Sequence, residues 1–156
     1  MTPVVEWCLG REDIGGRDPA GPLASLTPEE RLRYDAFRID KRRREWLMGR
    51  LTAKALVARV VLEHAGLELP VPLIEIARAQ SGAPVVRLSE AAPSGLPWAP
   101  GARLPMRVSV SHSHGAALCG ALWFGDGRSP ATAPRIGVDL EWIEPRSEGF
   151  VSDFLT

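Results

Sequence analysis

The spacing of apolar and polar residues changes character along the chain, and each change predicts an element. Val4 to Leu9 form a short apolar run rich in β-formers, while Gly10 to Ala24, with four glycines and two prolines, cannot continue it. A strand followed by a loop is expected. Thr27-Pro28-Glu29-Glu30 reads as a helix start, because Thr27 can cap, Pro28 fits the first turn and Glu30 can complete a capping box. That helix is expected to reach about Ile39. From about Lys41 to Ala65 a second helix is predicted, with Leu47, Leu51, Ala55, Ala58, Leu62 and Ala65 as its core stripe and Gly66 as its stop. Arg43, Arg50 and Lys54 fall on a neighbouring strip, so positive charge is expected beside the core.

After Pro70 the period shortens. Leu73 to Ala77, Val85 to Leu88, Met106 to Ser111, Ala116 to Phe124 and Ile136 to Ile143 all read as strands, separated by punctuated loops over Ala91 to Pro105 and Gly125 to Pro134. The last three strands, two of them joined by Ser113-His114-Gly115, suggest an antiparallel meander. Helices on one face of that sheet complete an α+β fold. No tandem repeat or low-complexity tract interrupts it.

At 156 residues and 45% apolar composition, one domain over residues 1–156 is the expectation. Basic and acidic residues balance at 19 each, so no global field draws in nucleic acid or an anionic membrane. The N-terminus lacks the pattern of a secretory signal and no apolar run approaches the ~20 residues of a membrane span, which favours a cytoplasmic protein. Cys8 and Cys119 lie in apolar runs, which favours two buried reduced thiols over a disulfide or a metal pair.

Three segments carry candidate chemistry. In Ile136-Gly137-Val138-Asp139-Leu140-Glu141-Trp142, a strand would put Asp139 and Glu141 on one face, where like charges call for a counter-ion. Magnesium suits two carboxylates completed by water and phosphate; a solvated strand edge is the bland alternative. Val108-Ser109-Val110-Ser111-His112-Ser113-His114 runs a strand into a turn rich in donors, fit either for a phosphate or simply for water. Zinc is set aside, since no third histidine or cysteine lies at ligand spacing. The run Lys41-Arg42-Arg43-Arg44, preceded by Arg31, Arg33 and Arg38 and interleaved with acids, is either a solvated helix surface or a phosphate-binding wall. P-loop, dinucleotide and hydrolase motifs are absent.

In their order, these segments resemble the surfactin-type 4'-phosphopantetheinyl transferases of the holo-acyl-carrier-protein synthase superfamily. The proline-and-glutamate helix start, Gly49-Arg50, Gly82-Ala83-Pro84, Ser109-Val110-Ser111-His112-Ser113 and Gly137-Val138-Asp139-Leu140-Glu141 carry the resemblance, from about Leu26 to Thr156. It implies transfer of the phosphopantetheine arm of coenzyme A to a serine of an acyl, polyketide or peptidyl carrier protein. It also implies magnesium on Asp139 and Glu141, coenzyme A phosphates at Ser111 and His112, and cationic contacts from Arg33 and Arg78, with Arg50 supporting the same pocket. Ala83 departs from the cationic residue usual in Gly-x-Pro. The family is built of two similar halves, and this chain ends at Asp153 to Thr156, where the second would begin, so the resemblance is to the N-terminal half of a pseudo-twofold fold. An uncovered apolar interface is then expected, filled by a second copy or by a C-terminal half in trans. A non-catalytic module holding nucleic acid or another anion on its basic helices is the alternative from a different class.

Overall fold

The helix start at Thr27 forms as expected, and its glutamate reaches well beyond the cap. The computed structural model describes residues 4–11, 21–125 and 132–145. In it α1 (Pro28–Asp35) opens with a full capping box: the Glu30 N–H donates to Thr27 Oγ1 at 3.3 Å, and the Thr27 N–H donates to Glu30 Oε2 at 3.1 Å. The same Oε2 accepts from Lys54 Nζ at 2.6 Å, while Oε1 accepts from the Ile76 N–H at 3.0 Å. Lys54 also donates to the Ser25 carbonyl. One carboxylate thus joins α1, the middle of α2 (Asp40–Ala65) and β2 (Ile74–Arg78). Glu30 is 4% exposed and Lys54 is fully buried. Burial pushes the Lys54 ammonium below its ordinary pKa, and the Glu30 charge pulls it part of the way back.

α1 ends at Asp35, short of the expected Ile39. Phe37 and Tyr34 turn back onto Trp46, with ring centroids 5.7 and 6.5 Å away, and Arg43 of α2 donates to the Phe37 carbonyl. Covering Trp46 takes precedence over extending the helix. α2 starts at Asp40 after an extended Ile39 and stops at Gly66, whose φ of 65° closes the helix as expected.

The buried face of α2 is Ala53, Leu56, Val57, Val60 and Val61, and not the expected stripe; Leu62 is 51% exposed. The helix is apolar on more than one side, and close approach decides which side meets the sheet. A Cβ on Gly10 would collide with the Thr52 side chain, and one on Gly49 would lie 3.2 Å from Val110 Cγ1. These two glycines let α2 sit down on the strands. Leu47, Leu51 and Ala55 are left lining a side cavity with Cys8, Leu9 and Arg11.

β1 (Val4–Arg11), β4 (Met106–Ser113) and β5 (Ala116–Trp123) form an antiparallel sheet in the order β1-β5-β4, covered on one face by α2. Val4 and Met106 both stand opposite Trp123. β2 pairs separately with β3 (Pro84–Leu88). The α+β class is as expected. His114 and Gly115 join β4 to β5 with φ values of 47° and 72°, the two positive angles of a tight twisted hairpin.

The expected strand over Ile136 to Ile143 does not form; β1 takes the third place in the sheet instead. The Val138 N–H donates to Ser109 Oγ and the Leu140 N–H to Ser111 Oγ, both at 3.1 Å. Serine hydroxyls therefore receive amides that a neighbouring strand would have bonded. The segment lies over Gly120, where a Cβ would be 2.6 Å from Val138 Cγ1. The alternation survives without a ladder: Ile136, Val138 and Leu140 are half-buried, while Gly137, Asp139 and Glu141 are exposed. Parts of the expected loops over 10–24 and 125–134, and Asp153 to Thr156, lie outside the described residues.

Replacing Lys54 by alanine strands the Glu30 carboxylate in the interior. A loss of about 3–5 kcal/mol is expected in urea unfolding, with much of it restored in the Glu30→Gln/Lys54→Met double variant. A second prediction concerns Glu6, which accepts from His64 Nε2 at 2.8 Å and lies 3.4 Å from Arg59. Burial raises its carboxyl pKa, but hydrogen bonds with His64 and Glu63 and the Arg59 and His64 charges outweigh this and hold it below its ordinary value. A depressed carboxylate contributes stability that is present above its unfolded pKa and lost as pH falls through the folded one. Thermal unfolding between about pH 5 and pH 3 should therefore lose less stability in Glu6→Gln than in the wild type.

Candidate functional site

β4 is an edge strand, so its alternation sends candidate residues to both sides of an open border. Val110 and His112 lie on the α2 side, where they line a small cleft of about 190 Å³ with Glu45, Trp46, Gly49, Arg50 and Ala53. Ser109 and Ser111 take the outer side and hold the 138–140 segment. Ser111 and His112 are therefore neighbours in sequence on opposite faces.

On the outer side, Ser111 accepts from the Leu140 N–H and donates to Asp139 Oδ1 at 3.0 Å. Leu140 N–H also donates to the same carboxylate oxygen at 3.0 Å. Asp139 is oriented through Oδ1. Glu141 is exposed on the same side of the segment. Two outward carboxylates, one of them pre-oriented, match the protein share of a magnesium shell, which water and phosphate oxygens complete. Among the described residues, three potential ligands converge only at Glu6, Glu63 and His64, and there Arg59 already pairs with both carboxylates.

On the inner side, Arg50 lies over the Trp46 ring, 4.6 Å from its centroid, and donates to the Ile76 carbonyl; its Nε is 3.8 Å from Glu30 Oε1. Burial lowers the Arg50 pKa, with Glu30 opposing and Arg33 adding to the shift. Arg33 is exposed on α1 and is not among the residues lining the cleft. Arg78 is exposed and donates to the Gly82 carbonyl at 3.2 Å, so it clasps the β2–β3 turn that carries Ala83.

Three of the seven basic residues from Arg31 to Arg44 are paired locally. Arg31 pairs with Asp35, Lys41 with Glu45 and Arg43 with Asp40. This matches the solvated-surface reading for those three. At the turn, His114 stacks on Trp142 with centroids 5.3 Å apart, hydrogen-bonds Ser113 and lies 3.5 Å from Glu144. Its role here is to hold the 142–144 segment.

Sequence reasoning missed Trp46, Glu45 and the Glu30–Lys54 pair. Trp46 had a readable signal, since it stands four residues before Arg50 on a helix and therefore beneath it. The ion pair spans 24 positions and had none.

The outer face of the sheet is apolar and partly bare. Val5, Trp7 and Leu9 alternate on it at 61, 65 and 39% exposure, and Trp142 and Ile143 follow at 58 and 94%. No helix of the described residues is long and apolar enough to cross a membrane.

No protein-family model and no curated protein matches the sequence. Solved structures do match in fold. An apo-ACPS structure from Chronobacterium ammoniagenes is 20% identical, with a TM-score of 0.57 over 78% of this chain and 95% of that one. The ACPS–CoA complex from the same organism gives 19% identity and a TM-score of 0.56, over 78% and 96%. This chain is similar to both in fold, and nearly the whole of each is matched.

Ser111→Ala removes one acceptor for the Leu140 amide and the donor to Asp139. Hydrogen exchange at Leu140 should accelerate by roughly fivefold, the equivalent of one hydrogen bond, with the β4–β5 amides unchanged. Exchange measured by NMR checks this.

Proposed function

We propose that this chain is an ACPS-like unit of a surfactin-type 4'-phosphopantetheinyl transferase, the N-terminal half of the two-part fold. It binds coenzyme A along the β4 edge and serves a carrier-protein serine. The observation that carries the reading is the Ser111–Asp139 hydrogen bond at the border of an open strand, with His112 and Arg50 just across that border. An oriented carboxylate beside a cleft that holds Arg50 and His112, with Glu45 also on its wall, supports binding of a diphosphate ester with a metal counter-ion. The fold likeness to an ACPS–CoA complex supports the same substrate.

Asp139 and Glu141 would hold magnesium, which when bound neutralises charge on the diphosphate. Ser111 keeps the Asp139 carboxylate in one orientation, so no reorganisation is needed when the ion arrives. His112 and Arg50 supply donors to phosphate oxygens, and Arg33 on α1 supplies a further cationic contact to coenzyme A. Arg78 contributes at the β2–β3 turn, where Ala83 offers only a methyl group. In the reaction the carrier serine hydroxyl attacks the β-phosphorus of coenzyme A, the diphosphate P–O bond breaks, and adenosine 3′,5′-bisphosphate leaves. Positioning and charge neutralisation supply the catalysis.

The bare outer face, with Trp7 and Trp142, supports a second wall supplied by another copy or by a C-terminal half in trans. We assign the protein to the cytoplasm, where its substrates are. The alternative of an anion- or nucleic-acid-binding module has less behind it, because Arg31, Lys41 and Arg43 are already paired on their own helices.

Calorimetric titration of coenzyme A, with and without magnesium, tests the reading. Magnesium-dependent binding is expected, weakened at least tenfold in Asp139→Ala and in Arg50→Ala, the latter also without magnesium. Equal affinity of wild type and Asp139→Ala in magnesium would sink the metal assignment. No binding by the chain, alone or mixed with a C-terminal half, would sink the transferase reading.

A further inference from the structure

The two cysteines, distant in sequence, stand directly opposite one another. Cys8 on β1 pairs with Cys119 on β5 in the antiparallel register. They also point the same way: Cys8 shares the α2-facing side of β1 with Glu6 and Gly10, and Cys119 shares that side of β5 with Ala117 and Ala121. Opposed residues of an antiparallel pair have Cα atoms about 4.5 or 5.5 Å apart, depending on whether they exchange hydrogen bonds. Both values fall within the roughly 4.4–6.8 Å span of disulfides. Their Cβ atoms, about 4.5–5.5 Å apart in such a pair, need to close by about an ångström. Among the described residues β1 has one strand neighbour, so that closure strains a single ladder, with the Arg59 bond to the Trp7 carbonyl moving along with it.

The two thiols differ in access. Cys119 is fully buried, its Sγ 3.7 Å from the Gly49 carbonyl, and burial pushes its pKa up to about 12. Cys8 is half-buried and lines a cavity of about 510 Å³. Arg11 and Arg44 line the same cavity, and among the described residues no acidic side chain does. An anionic reagent therefore meets cations at the mouth and Cys8 inside, with Cys119 directly behind it.

We propose that Cys8 and Cys119 form a reversible dithiol–disulfide pair, closed by low-molecular-weight anionic disulfides of the glutathione type entering the Arg11–Arg44 cavity. The Cys8 thiolate attacks one sulfur of glutathione disulfide; that S–S bond breaks, and one glutathione leaves as a thiolate that takes up a proton. Cys119 then attacks the Cys8 sulfur of the mixed disulfide, and its proton passes to the departing glutathione sulfur. The second glutathione leaves as a thiol. Two protein thiols are oxidised and one glutathione disulfide is reduced to two thiols.

Intact mass spectrometry of the folded 156-residue chain in excess glutathione disulfide tests this. The wild type is expected to lose two hydrogen masses as a monomer and to regain them with dithiothreitol. Cys119→Ser should instead accumulate a stable single glutathione adduct on Cys8. Cys8→Ser, altered only at the half-buried position, should remain unmodified. Reversing the cavity charge with Arg44→Glu should slow wild-type closure at least threefold with glutathione disulfide but not with a neutral disulfide such as hydroxyethyl disulfide. The proposal is overturned if the folded wild type keeps both thiols, stops at the single adduct, or closes only after denaturation. Equal slowing of both reagents by Arg44→Glu would remove the anionic class of oxidant.

Discussion

One wall of the candidate site, Arg50 over Trp46, is held in place by one buried carboxylate. Glu30 caps its own helix, accepts from Lys54 on α2 and accepts from the Ile76 amide on β2, so three elements are referenced to the same two oxygen atoms. Arg50 is tied to that point from both ends, through Glu30 and through the Ile76 carbonyl. Burying two charges costs several kcal/mol each, and their attraction offsets this only when the remaining donors and acceptors are filled. Here Thr27, Ser25 and Ile76 fill them. What the pair adds over an apolar replacement is a fixed relation between α1, α2 and β2, and with it the direction in which Arg50 lies over Trp46.

The site uses an edge strand as its spine. A central strand would have both neighbours bonded and its side chains enclosed above and below; β4 has one side open, so His112 and Ser111 approach the same border from opposite faces. The 136–141 segment is fastened to that strand by side chains alone. Serine at 109 and at 111 accepts amides that a regular ladder would have given to carbonyls, and the gain is a loop whose carboxylates point outward in alternation.

Local signals were read well from the sequence and distant ones poorly. The capping box at Thr27, the stop at Gly66 and the hairpin at His114-Gly115 each depend on residues within a few positions, and the structure has all three. Asp139 and Glu141 share a side because alternation needs only an extended backbone, even though no strand forms there. The errors came from competition across the fold. The core face of α2 was misplaced because several of its faces are apolar, and the deciding contacts, Gly10 against Thr52 and Gly49 against Val110, join residues far apart in the chain. Likewise α1 ends early to cover Trp46, and β1 takes the sheet position expected for residues 136–143.

The register of β1 has a consequence for the order in which the protein can assemble. The β2–β3 and β4–β5 hairpins join residues close in sequence, but Val4 waits for Trp123. At the 5–20 residues per second of translation, the first strand spends roughly 6–24 s without its partner. During that interval Val4 to Leu9 is an apolar strand with both edges open, and closing the long loop to β5 carries the largest entropic cost in the fold. The sheet is therefore completed last by the strand made first, and a nascent chain stalled before β5 would present that strand to chaperones.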